Sequence, residues 1–192
     1  MQVVILAGGL GSRLSEETKI VPKALVKIGK KPIIVHLINY YQSYGYNDFI
    51  ICLGYKGNLI NEFFLKEKHK NYFKRTKIKL VNTGKKSYTG ERIKRIKKYI
   101  TGDFFLTYCD GLSNINLNKT LKLFKKSKKI GLVSTINPRS RFGVLSIDKK
   151  NLIELNKIIS NSKYFQNLIT QEGISKKYWQ TIFPFTVRLE SA

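Results

Sequence analysis

Residues 3–23 read VVILAGGLGSRLSEETKIVPK. Val3, Val4, Ile5 and Leu6 are a short run of β-branched and aliphatic residues. Such a run predicts a strand buried on both faces, as in a parallel sheet. Ala7, Gly8, Gly9 and Gly11 follow it. Backbone without Cβ atoms can wrap closely round a ligand, and its free N–H groups can converge on an anion. Arg13 adds a planar fork of donors that suits phosphate oxygens. Lys23 follows Pro22, which stiffens the segment presenting it. The glycines alone would also suit a tight strand-to-helix turn. Together with Arg13 and the Pro22-Lys23 pair, they read as a phosphate cradle with two cationic clamps. The familiar phosphate motifs do not describe it. No G-x-x-x-x-G-K-[ST] string is present, and Leu14 stands where G-x-G-x-x-G needs its last glycine.

Working outward, apolar runs alternate with amphipathic stretches. Strands are predicted at 3–6, 49–53, 78–81, 104–109 and 130–136. Helices are predicted at 32–44, 59–72, 92–100 and 117–126. Pro32 opens the first helix and Gly45 closes it, while Gly102 closes the third. This βαβ alternation predicts a mostly parallel sheet with helices on both faces. Ligands of such sheets bind at the carboxyl ends of the strands. Gly8 to Arg13 leave the first strand at that end, and Asp110 leaves the 104–109 strand at the same end. Asp110 is a hard oxygen donor suited to Mg²⁺, although Asp-Gly after a strand is also an ordinary turn.

Composition sets bounds on the partners. The 192 residues carry 36 Lys and Arg against 12 Asp and Glu, a net charge of +24. Only seven of the basic residues are Arg, and no nucleic-acid-reading motif is present. The basic runs ERIKRIKKYI and LKLFKKSKK place lysines between apolar residues at helical spacing, as on solvated helix faces. General attraction to anions therefore fits better than a specific nucleic-acid partner. No apolar run reaches membrane-spanning length, so a cytoplasmic protein without a membrane partner is the expectation. Cys52 and Cys109 lie in apolar runs and read as small buried residues.

The L-A-G-G-x-G-x-R-L run followed by P-K resembles the signature of sugar-phosphate nucleotidyltransferases. Further ordered blocks narrow the resemblance. They are SEETKIVPKALVKIGKKPIIVHLINYYQSYGYNDFIICLGYKG at 15–57, NTGKKSYTGERIKRI at 82–96, FFLTYCDGLSNINL at 104–117 and RFGVLSID at 141–148. Over roughly the first 150 residues the chain is similar to glucose-1-phosphate cytidylyltransferases. The resemblance implies a Rossmann-like three-layer α/β/α nucleotidyltransferase fold. It also implies a reaction of CTP with α-D-glucose 1-phosphate that gives CDP-glucose and pyrophosphate. Arg13 and Lys23 would then be catalytic. Leu6, Ala7, Gly8, Gly9, Gly11, Thr83, Gly84, Thr89 and Arg92 would bind substrate, and Asp110 would hold Mg²⁺. A homo-oligomer is compatible with the class. A nucleotide-binding remnant without turnover, or a relative using another base or sugar, are the alternatives.

Some positions depart from the family pattern. Glu91 replaces a glycine of T-G-G-R, either adding negative charge near an anionic ligand or serving as an ordinary first-turn acid. Cys109 replaces the first glycine of G-D-G, and Asn114 replaces an aspartate. After Lys150 the family's E-K-P and G-G-F-F blocks and a second metal-binding aspartate are not recognisable. Glu154, Glu172 and Glu190 are the acids there. The reading therefore divides the chain into a nucleotidyltransferase core at 1–150 and a divergent or truncated tail at 151–192. The nucleotide half is expected to be better preserved than the sugar half.

Overall fold

The computed structural model describes residues 1–10, 20–66, 71–136 and 180–187. Gly11, Arg13 and the whole of the 137–179 stretch lie outside it. The chain groups into two compact units, Met1–Ser134 with Ile182–Ala192, and Thr135–Thr181. Only the ends of two strands are described in the second.

The first strand, β1 (Gln2–Leu6), is buried along its whole length. A small antiparallel pair, β2 (Lys27–Ile28) and β3 (Lys31–Pro32), leads into helix α1 (Ile33–Gln42). Then come β4 (Asp48–Leu53), α2 (Gly57–Leu65), β5 (Lys77–Asn82) and α3 (Thr89–Ile96). They are followed by β6 (Phe104–Tyr108), α4 (Leu117–Ser127), β7 (Gly131–Ile136) and β8 (Gln180–Val187). The main sheet has the order β5-β4-β1-β6-β8-β7. β1 runs parallel to β4 and β6, and β4 runs parallel to β5. β8 runs antiparallel to β6, with Phe104 opposite Val187. The mostly parallel α/β sheet of the sequence reading is therefore present.

Strand periodicity divides the core into two layers. Val3, Ile5, Phe49, Ile51 and Phe105 face one side, against Ile34, Leu37 and Tyr41 of α1, Ile60 and Phe63 of α2 and Leu117 of α4. Val4, Leu6, Ile50, Cys52, Phe104 and Leu106 face the other, against Ile93 and Ile96 of α3 and the following Ile100. The result is three layers. Phe49 and Phe105 are fully buried, each contributing roughly 1.5–3 kcal/mol of burial free energy.

Element boundaries differ from the sequence reading in places. The second predicted helix runs to Tyr72, yet α2 ends at Leu65 and Lys66 is extended. Residues 67–70 of that prediction lie outside the described residues, and Tyr72 falls in a 3-10 turn at Asn71–Phe73. The third helix begins at Thr89 rather than Arg92, after the extended Tyr88, and tightens into a 3-10 turn at Lys97–Tyr99 rather than running to Ile100. Gly45 ends α1 as expected, at φ +85°, with its N–H bonded to the Gln42 carbonyl at 2.8 Å. Strand β8 lies in a segment where the reading assigned no element.

This topology places the crevice. From β1 the chain builds outward through β4 to β5, then returns to β1's other side as β6. The carboxyl ends of β1 and β6 therefore form the switch point at which open α/β sheets bind ligands.

Candidate active site

A cavity of about 300 Å³ lies at that switch point. Leu6 to Gly9 form one wall, continuing from β1. Tyr108, Cys109 and Asp110 form another, continuing from β6, and the Cys109 N–H bonds the Leu6 carbonyl at 3.1 Å. Ser87, Tyr88 and Thr89 bring in the start of α3, and Lys23 and Arg92 supply cations. Among the described residues, no side chain caps the amino end of α3. Uncapped N–H groups and the helix dipole favour an anion there.

Each polar group is held by its own element. Pro22 and Ala24 are both buried, so the backbone on either side of Lys23 is pinned while its side chain stays about one-third exposed. Asp110 sits in a tight turn, with the Gly111 N–H on the Tyr108 carbonyl and the Leu112 N–H on the Asp110 carbonyl. Farther along this loop, the Tyr40 hydroxyl of α1 donates to the Ile115 carbonyl, and the Asn116 side chain caps α4 by accepting from the Lys119 N–H at 3.0 Å. Lys23 Nζ lies 2.5 Å from Asp110 Oδ2, so a cation already stands against the carboxylate. The Thr89 and Tyr108 hydroxyls lie 3.2 Å apart across the cavity wall.

Arg92 is 5% exposed, and neutral acceptors surround its guanidinium. It donates to the Gly8 carbonyl at 3.0 Å, the Leu53 carbonyl at 3.1 Å, the Gly84 carbonyl at 2.9 Å and Thr83 Oγ1 at 2.7 Å. The fork thus ties together the turns that follow β1, β4 and β5. Burial lowers its pKa from the ordinary value, but an arginine remains a cation at neutral pH.

Beside this geometry stand the likenesses of the chain. The family model for nucleotidyl transferases matches residues 2–159. The chain belongs to the nucleotidyl transferase family.

Among its relatives in that family, the glucose-1-phosphate cytidylyltransferase of Salmonella typhimurium is 40% identical over 166 residues, covering 77% of this chain and 65% of the relative. A probable glucose-1-phosphate cytidylyltransferase of Bacillus subtilis is 39% identical, with the same coverages. The chain thus spans about two thirds of the length of the curated relatives it matches. In fold it is similar to a putative glucose-1-phosphate thymidylyltransferase from Bacillus anthracis, with a TM-score of 0.69 at 17% identity, covering 99% of this chain and 72% of that one.

Within this nucleotidyl transferase cavity, the residues read from the sequence fall into three groups. Leu6, Ala7, Gly8, Gly9, Lys23, Thr89, Arg92 and Asp110 line it. Thr83 and Gly84 are not in the lining and instead support Arg92 from behind. Thr83 Oγ1 donates to the Leu53 carbonyl at 2.7 Å while accepting from the guanidinium. Gly11 and Arg13 lie outside the described residues. Glu91 is paired with Arg95 at 2.5 Å, one helical turn on, and is not in the lining. This is the ordinary first-turn role rather than a charge facing the ligand.

Ser87, Tyr88, Tyr108 and Cys109 were not singled out as lining residues. Their only sequence signal is adjacency to Thr89 and Asp110. Both thiols are free and buried, as read. Burial pushes each up to about 12, and Asp110 adds to the effect at Cys109, so both stay protonated at neutral pH.

The cradle glycines have separate reasons to be glycine. A Cβ on Gly8 would fall 2.2 Å from Arg92 Nη1, and one on Gly54 would fall 2.6 Å from both that nitrogen and the Gly8 carbonyl oxygen. A Cβ on Gly9 would meet no atom within 4 Å. Gly8→Ala is therefore expected to lower stability by about 1–3 kcal/mol through overpacking against the fork. Gly9→Ala should leave the melting temperature of the ligand-free protein nearly unchanged. Thermal unfolding of the two variants tests this, and equal midpoints would mean that Arg92 yields easily.

Proposed function

We propose that the chain transfers a cytidylyl group from CTP to α-D-glucose 1-phosphate, giving CDP-glucose and pyrophosphate. A phosphate oxygen of the sugar phosphate attacks the α-phosphorus of CTP. The bond from that phosphorus to the bridging oxygen breaks, and pyrophosphate leaves with the electron pair. Attack of one anion on another requires charge neutralisation and in-line positioning. One observation carries the reading. Among the described residues, Lys23, Arg92, the uncapped start of α3 and the Gly8–Gly9 turn converge with a single carboxylate, Asp110, at the switch point. That is a cationic cradle beside one metal-competent oxygen donor.

The nucleotide's cytidine and sugar assignment follows from the likeness to the cytidylyltransferases. The Gly8–Gly9 backbone and the start of α3 hold phosphate oxygens, and Lys23 neutralises the reacting phosphates. Arg13, in the same motif, neutralises the leaving pyrophosphate. Mg²⁺ fits Asp110, because its carboxylate is a hard oxygen donor that lines the cavity and is about one-third exposed to solvent. Among the described residues no cluster of three acids, His or Cys could hold a metal alone. A one-carboxylate site suits an ion that arrives on phosphates and keeps several waters. When bound, Mg²⁺ offsets triphosphate charge. Among the described residues, no helix is long and apolar enough to cross a membrane.

The test is to incubate the protein with Mg²⁺, glucose 1-phosphate and each ribonucleoside triphosphate, and to measure pyrophosphate release. Release with CTP, dependent on the sugar phosphate, is the expected result. Release with a different triphosphate would reassign the base, and CTP binding without release would make the chain a nucleotide-binding relative.

A further inference from the structure

We propose that Lys23 is the resident counter-ion of Asp110, and that a divalent cation entering the site displaces it. The inference rests on the metal role given to Asp110 above. Lys23 Nζ and Asp110 Oδ2 are 2.5 Å apart, and Asp110 is the only acid lining the cavity among the described residues. An ammonium at that distance occupies the place where a metal would bind. Two cations sharing one carboxylate would repel each other strongly, so the pair must open before the metal can coordinate.

The surroundings allow this opening at small cost. Both side chains are about one-third exposed. A pair of this kind is weakly held, because water screens it and rehydrates its charges. Pro22 and Ala24 keep the backbone of Lys23 fixed, so only the flexible four-carbon stem has to swing. The displaced ammonium needs a new anionic partner, and incoming phosphates provide one. A metal that arrives with a nucleotide therefore satisfies both halves of the broken pair, whereas a free metal ion strands Lys23. The exchange thereby favours the nucleotide-borne metal over the free ion. The exchange also makes Lys23 a positioning residue for the metal, in addition to its contact with phosphate.

Mn²⁺ alone serves as the probe, with free ion counted by its paramagnetic resonance signal in titrations of the full chain without nucleotide. K23M keeps the length of the side chain but removes its charge, and is expected to bind Mn²⁺ about fivefold or more tightly than the original protein. K23R keeps the charge and should stay within about twofold of it. The gain should vanish in the K23M/D110N double variant. If K23M binds Mn²⁺ no better, while D110N still weakens Mn²⁺ binding in the presence of CTP, the exchange is wrong and the metal role stands. If no variant shows Asp110-dependent Mn²⁺ binding even with CTP, the metal role itself fails and the exchange goes with it.

Discussion

Arg92→Ala is expected to lower stability by about 3 kcal/mol or more, because it strips charge-assisted hydrogen bonds from buried acceptors and leaves a void. For a chain of this size that corresponds to a fall of roughly 6–12 °C in melting temperature. The acceptors are the Gly8, Leu53 and Gly84 carbonyls and Thr83 Oγ1. The Gly8 and Leu53 carbonyls would keep only neutral donors, the Tyr55 N–H at 3.1 Å and the Thr83 N–H at 2.9 Å. Arg92→Lys retains a charge but has one nitrogen where the fork has three, so it should recover only part of the loss. CTP affinity should fall in parallel, since the Gly8 turn loses its anchor. Calorimetric melting of the ligand-free protein decides the matter. An unchanged midpoint with lost CTP binding would make Arg92 a ligand contact and remove its role in joining the three turns.

Asp110→Asn should have the largest effect on turnover and little on folding. The substitution keeps shape and removes the charge that would draw a metal. Loss of a direct metal ligand is expected to reduce Mg²⁺-dependent pyrophosphate release by at least about 100-fold. Its ion pair with Lys23 is partly exposed, so breaking it should change stability by about 0–1 kcal/mol. Steady-state kinetics at saturating CTP, alongside a melting curve, separate the two effects. Activity within a few fold of the original protein would eliminate the metal assignment.

The features legible in the sequence were those written in residue types close together along the chain. A β-branched run followed by glycines marks β1 and its turn, and Asp-Gly after an apolar run marks the end of β6. Alternation of strands and helices then implies that the two ends meet. The role of Arg92 was not legible. Three of its four partners are backbone carbonyls, which carry no signature, and they belong to turns far apart in sequence. The reading accordingly pointed Arg92, Thr83 and Gly84 at the ligand, whereas the last two reach the cavity only through the first. Strand β8 was hidden for another reason. Its sequence, QTIFPFTV, contains Pro184, which lacks an N–H and argues against a strand inside a sheet. Long-range pairing with β6 overrides that local signal.

The position of β8 between β6 and β7 also bears on the order in which the protein is made. Synthesis runs from the amino terminus, and domains fold as their segments emerge. β1, β4, β5 and β6 are all available once about residue 108 is out, and their parallel pairings close the cavity walls. The outer rim of β6 then has to wait for a strand that begins at Gln180. In that interval a nascent chain carries an open row of N–H and C=O groups, the kind of edge on which chains join wrongly. The crevice at the switch point thus takes shape early on the ribosome, while the sheet that carries it is sealed late, and the interval between the two is when a chaperone would be of most use.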